Sequence, residues 1–149
     1  MYTSLETVIP VLEKEGFTIN DPWDVVDAFE KKVAAYAGSE YAVSLDNCTN
    51  AIFLFHKKKI LGMGKGGMIL TNDKIAYDWF KIARYEGRHM DIPYAKDTFD
   101  MIGWNMYMPP EQAAYGIELL NQLPDYNEDC GSSAVYHDLS NFEIFQKGL

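Results

Sequence analysis

Three lysines in a row, Lys57-Lys58-Lys59, stand between an apolar run and a glycine-rich stretch. Adjacent ammonium groups lower one another's pKa, which is one route to the free amine that Schiff-base chemistry requires. In an acidic chain the same triplet also reads as a solvated surface patch, and residue types alone leave both readings open. A second candidate is Asn47-Cys48-Thr49-Asn50, which precedes the apolar run Ala51 to Phe55, read as a helix. A helix start offers free backbone N–H groups and a positive dipole end, and the neighbouring hydroxyl and amide suit a phosphate. An ordinary helix cap has the same composition.

Other spacings carry less. Gly62, Gly64 and Gly67 satisfy the letters of GxGxxG, but a strand follows them where a dinucleotide-binding loop would open a helix. They are expected to let the backbone turn tightly before that strand. His56, His89 and His137 lie far apart with no carboxylate or cysteine at ligand spacing, so each reads as structural or surface and no metal site is expected. Cys48 and Cys130 belong to no CxxC or Cys/His cluster, which fits a reducing cytoplasm.

The elements that must position these residues are marked by caps and breakers. Asp21-Pro22 predicts the start of a helix that closes on Gly38, with Val25, Phe29, Val33 and Tyr36 as its apolar stripe. An earlier helix is expected over Ser4 to Glu15, with Thr3 and Glu6 spaced for a capping box and Pro10 bending it. Tyr41 to Leu45 and Met68 to Thr71 read as short strands. Asn72-Asp73 predicts the cap of a helix ending at Gly87, whose apolar face would be Ile75, Ala76, Trp79, Phe80 and Ala83 and would belong to the core. Arg88 to Met108 is irregular but aromatic, as a packed loop is, and Pro109-Pro110-Glu111 opens a last helix running to Leu123 before Pro124. Residues 125–149 read as a polar, turn-rich tail.

At 149 residues the chain has the length of one domain. Its 22 acidic against 13 basic residues give a formal net charge of −9, a surface that repels nucleic acid and anionic membranes. Met1 to Glu15 has acids where a signal peptide has bases, and no apolar run approaches the ~18 residues of a membrane span.

Taken together, Phe29-Glu30 through Ala37-Gly38, Tyr41-Ala42-Val43 and Asn47-Cys48-Thr49-Asn50-Ala51 resemble the opening of the DegT/DnrJ/EryC1/StrS aminotransferases. Phe55-His56-Lys57-Lys58-Lys59, followed by Gly64-Lys65-Gly66-Gly67-Met68-Ile69-Leu70-Thr71-Asn72-Asp73, resembles their Schiff-base lysine segment and the strand after it. Trp104-Asn105-Met106-Tyr107-Met108 with Glu111-Gln112-Ala113-Ala114 resembles their YNxRM…QAA stretch. The resemblance runs over roughly residues 17–123, in the family's order.

It implies an α/β fold, a remnant of the large domain of the fold type I transferases that use pyridoxal 5'-phosphate (PLP). It further implies an aminotransferase acting on a nucleotide-linked keto-sugar, in a cytoplasmic homodimer. Lys59 falls where the family places its PLP lysine, Cys48 and Thr49 fall on its phosphate turn, and Asn105 on the asparagine that reaches the partner subunit's phosphate. Relatives carry a long stretch between turn and lysine, supplying most of a parallel sheet and the aspartate that keeps the pyridine nitrogen protonated. Here only Ile52-Phe53-Leu54 intervene, which puts the junction of an internal deletion near residues 52–56 of a single truncated domain. Leu54 stands in place of a serine and Tyr107 in place of an arginine. The alternative is a non-catalytic remnant that serves as a small folded or self-associating α/β unit.

Overall fold

Helix formation begins where the sequence carries helical periodicity. In the computed structural model, which describes residues 4–47, 53–54 and 61–125, α1 (Leu5–Lys14) buries Val8 and Leu12 one turn apart. Ser4 is its N-cap and makes no capping bond from its side chain; the Ser4 hydroxyl instead meets that of Thr7 at 2.9 Å. Thr3, the other half of the expected capping box, lies outside the described residues. Pro10 sits inside α1 on its exposed side.

The second helix, α2 (Trp23–Ala37), opens with the Trp23 N–H donating to Asp21 Oδ1 at 2.7 Å and closes on Gly38 in the left-handed conformation, as its punctuation predicts. Val25, Phe29 and Val33 are buried, while Tyr36 at the end of the stripe reaches outward to donate to the Pro124 carbonyl.

Strands β1 (Tyr41–Leu45), β2 (Phe53–Leu54) and β3 (Gly67–Thr71) form a sheet in the order β1-β3-β2, antiparallel throughout. Phe53 and Leu54 thus correct the helix expected after the polar turn. Two residues paired to β3 satisfy ladder groups on that strand's second edge, whereas a five-residue apolar run is too short to support an isolated helix.

Alternation along the strands supplies two faces. Ala42 and Met68 join Leu12, Phe29 and Ile117 in one apolar cluster, and Val43, Leu45 and Ile69 form a second. The first cluster is closed by α4 (Pro110–Leu120), which packs on α1 and α2; the second is covered by α3 (Lys74–Ala83). Gly116 lets α4 come close, since a Cβ there would lie 2.6 Å from the Phe29 ring.

The apolar face expected for α3 is also corrected. Ile75 is 82% exposed and Trp79 47% exposed, while Tyr77 and Phe80 pack against the second cluster and Ala83 and Arg84 are buried. Positions 77, 80 and 84 recur on one side of the cylinder at roughly 100° per residue, and 75 and 79 fall opposite them.

Beyond α3 the chain is irregular and aromatic, with a single 3-10 turn at Tyr94–Lys96. The Arg88 guanidinium lies 4.7 Å from the Tyr94 ring centroid and 5.1 Å from that of Tyr85. The excursion is closed at its base by two glycines. A Cβ on Gly87 would stand 1.9 Å from the Met101 carbonyl oxygen, and one on Gly103 would stand 2.0 Å from the Gly87 nitrogen.

Candidate functional site

The segment after this crossing runs along the end of α3 and then meets β1. Trp104 N–H donates to the Ala83 carbonyl at 2.7 Å, Met106 N–H to the Arg84 carbonyl at 3.1 Å, and Asp46 N–H to the Met106 carbonyl at 2.9 Å. Leu45 and Tyr107 are paired as an isolated bridge, and so are Tyr85 and Asn105. Asn105 is therefore held beside the end of the strand that leads into Asp46 and Asn47, the start of the expected phosphate turn. Its side-chain amide donates to Glu86 Oε1 at 2.8 Å on the surface.

The glycine stretch arrives at the same place. Gly64 and Gly66 take positive φ values of 82° and 103°, the tight turn expected before β3. A Cβ on Gly66 would press to 2.9 Å of the Met108 methyl and 3.2 Å of the Gln112 amide. Gln112 in turn donates to the Lys65 carbonyl, and the Lys65 ammonium stands 3.7 Å from Asp46. Three motif segments, far apart in sequence, thus converge at one end of the sheet.

Cys48, Thr49 and Lys59 lie outside the described residues, as does most of the lysine segment. Tyr107 packs edge-on against Trp23 and Tyr85, each with centroids 5.3 Å apart, and belongs to an aromatic cluster. His89 is bound locally, its Nδ1 lying 2.9 Å from the Asp97 carboxylate. That hydrogen bond raises the imidazole pKa above its ordinary value. Among the described residues no group of three or more His, Cys, Asp or Glu could hold a metal ion, and no helix is long and apolar enough to cross a membrane.

A buried polar cluster escaped the sequence reading. Glu30 of α2 is 3% exposed and Arg84, at the end of α3, is 1% exposed. Arg84 Nη1 donates to Glu30 Oε1, to the Ser44 carbonyl at 2.8 Å and to the Ser44 hydroxyl at 3.0 Å. Glu30 Oε1 also accepts the Ser44 N–H at 2.8 Å and its hydroxyl at 2.7 Å. Lys81 reaches Glu30 Oε2 at 3.3 Å and Asp27 at 2.6 Å.

Burial pushes the Glu30 carboxyl up, but Arg84, Lys81 and the Ser44 hydrogen bonds outweigh it and hold the group below its ordinary range. Burial likewise pushes the Lys81 ammonium down, and Glu30 and Asp27 restore it to above its usual value. The available signal was Glu30's register, four residues after Val26 and three before Val33, where a charge in an apolar stripe needs a buried partner.

A cavity of about 630 Å³ lies elsewhere, between the start of α2, α3 and Arg88 to Asp91. Neither Asn47, Lys65 nor Asn105 lines it.

The chain belongs to the DegT/DnrJ/EryC1/StrS aminotransferase family, which matches it over residues 3–55 and again over 51–137. The GDP-perosamine synthase of Caulobacter vibrioides is 35% identical over 102 residues, covering 68% of this chain and 26% of that protein. The GDP-perosamine synthase of Escherichia coli O157:H7 is 32% identical over 103 residues, 69% of this chain and 26% of that protein. The spore coat polysaccharide biosynthesis protein SpsC of Bacillus subtilis is 43% identical over 73 residues, 43% of this chain and 18% of that protein. The chain thus spans about a quarter of the length of the two synthases. No solved structure matches it.

Proposed function

We propose that this chain carries the PLP-handling motifs of an aminotransferase that places an amino group on a nucleotide-linked keto-sugar. The observation that carries the reading is the convergence of the strand end before Cys48-Thr49 and the loop after Lys59 at one end of the sheet, where Leu45 pairs with Gly67 and the Lys65 ammonium stands 3.7 Å from Asp46. Family membership and the two perosamine synthases, whose name includes a nucleotide sugar, support the substrate class.

The described residues suit the phosphate end of PLP. Asn105 presents its amide at the surface, where it also donates to Glu86, and the Lys65 ammonium offsets the negative charge of Asp46. Cys48 and Thr49 would complete the phosphate contacts, Asn105 acting in a partner copy. Lys59 would bind the aldehyde carbon and move the substrate's alpha proton. PLP, when bound, supplies an electron sink whose strength depends on a carboxylate beside its ring nitrogen.

The two family matches overlap at 51–55, in keeping with an internal junction near residues 52–56. The proposal includes a homodimer, and a cytoplasmic location consistent with two cysteines that form no pairing motif.

Borohydride reduction of the purified full chain with PLP should attach the cofactor to Lys59, with loss of a visible absorbance band. Unmodified Lys59 overturns the catalytic reading. A second reading, a non-catalytic folded remnant, is favoured by the closed packing of the described helices around their own core. It predicts an unchanged melting temperature on adding PLP, because a ligand that binds the native state raises it.

A further inference from the structure

Arg84 occupies a singular position. Its side chain bonds to Ser44, two residues before Asp46, while its backbone carbonyl accepts from Met106, the residue after Asn105. The Met106 carbonyl then accepts from Asp46 N–H. Ser44, Arg84, Met106 and Asp46 therefore form a closed hydrogen-bonded circuit tying the end of β1 to the Asn105 segment.

We infer that Arg84 is a positioning residue that fixes the separation between the Asp46–Asn47 turn and Asn105. Only its functional consequence rests on reading that turn as a phosphate site; the positioning itself rests on the circuit.

Three features support the assignment. The guanidinium is anchored rather than free, because Glu30, on a different helix, neutralises it and shares Ser44 with it. Its Nε is buried with no partner among the described residues, so one amine of the fork makes all the contacts. A lysine would keep the charge, but its ammonium ends one bond short of the position of Nη1, on a flexible stem with no planar group to orient it. Pure charge neutralisation of Glu30 would tolerate that exchange, whereas positioning of Ser44 would not.

The test uses amide hydrogen exchange of the full chain, read by NMR, in the wild type and in Arg84→Met, Arg84→Lys and Ser44→Ala. Positioning predicts that in Arg84→Met the Asp46 and Met106 amides accelerate at least about tenfold more than those of Leu12 and Ile117, which follow the global loss of stability. Arg84→Lys should leave Asp46 and Met106 fast. Ser44→Ala, which removes only a hydroxyl, should accelerate the same two amides severalfold and carries the test if Arg84→Met fails to fold. Unchanged rates at Asp46 and Met106 overturn the inference; so does a uniform acceleration across the chain in Arg84→Met with Ser44→Ala silent, or full rescue by lysine.

PLP affinity, measured in parallel, should fall about tenfold in Arg84→Met. A wild-type chain that ignores PLP removes the proposed function and leaves the exchange result to judge the positioning alone.

Discussion

On one side of the sheet, α1, α2 and α4 share a broad apolar cluster built from Leu12, Phe29, Ala113 and Ile117. On the other, α3 is held by a small apolar cluster and by the ion pairs that Arg84 and Lys81 make to Glu30 of α2, and it leaves Ile75 and Trp79 in solvent. Apolar packing tolerates small shifts, because dispersion is spread over many weak contacts. A buried charge cluster is less forgiving, since its desolvation is repaid only while every partner stays in place. The segment that presents Asn105 is thus tied to the end of α3 by directional bonds.

The comparison can be broken most directly in the core. Phe29→Ala should cost roughly 3–5 kcal/mol in urea unfolding, since it empties the contact between α2 and α4. Glu30→Ala should cost about 3 kcal/mol by leaving Arg84 buried and uncompensated. The Glu30 contribution also depends on pH. Its folded carboxyl titrates below the ordinary value of 4.5, so its stabilisation is intact above that value and is lost as pH falls through the lower folded pKa. An acid titration of the wild type should show this loss, and one of Glu30→Ala should lack it. Smallest of all, Ile75→Ser should change stability by no more than ~0.5 kcal/mol, because the residue faces water; a loss of several kcal/mol would return α3's outer face to the core.

Much of the scaffold was legible because it is written locally. Asp21, Pro22 and Gly38 bracket α2, and Gly66-Gly67 and Asn72-Asp73 bracket β3. The face of α3 was not, because Ile75 and Trp79 are spaced as helically as Tyr77, Phe80 and Arg84, and only the packing partner decides between them. Nor was the Glu30–Arg84 pair, which joins residues 54 positions apart. Of the site, the motif order pointed to Asn105, which the structure sets beside Asp46 through Met106. Cys48, Thr49 and Lys59 fall outside the described residues.

The pinch at Gly87 and Gly103 has a consequence for how this molecule can vary. With backbone against backbone at that crossing, the excursion from Arg88 to Ile102 begins and ends at a fixed gate. Residues could be inserted or deleted within that excursion without moving Trp104 or Asn105, while either gatepost admits nothing larger than a hydrogen.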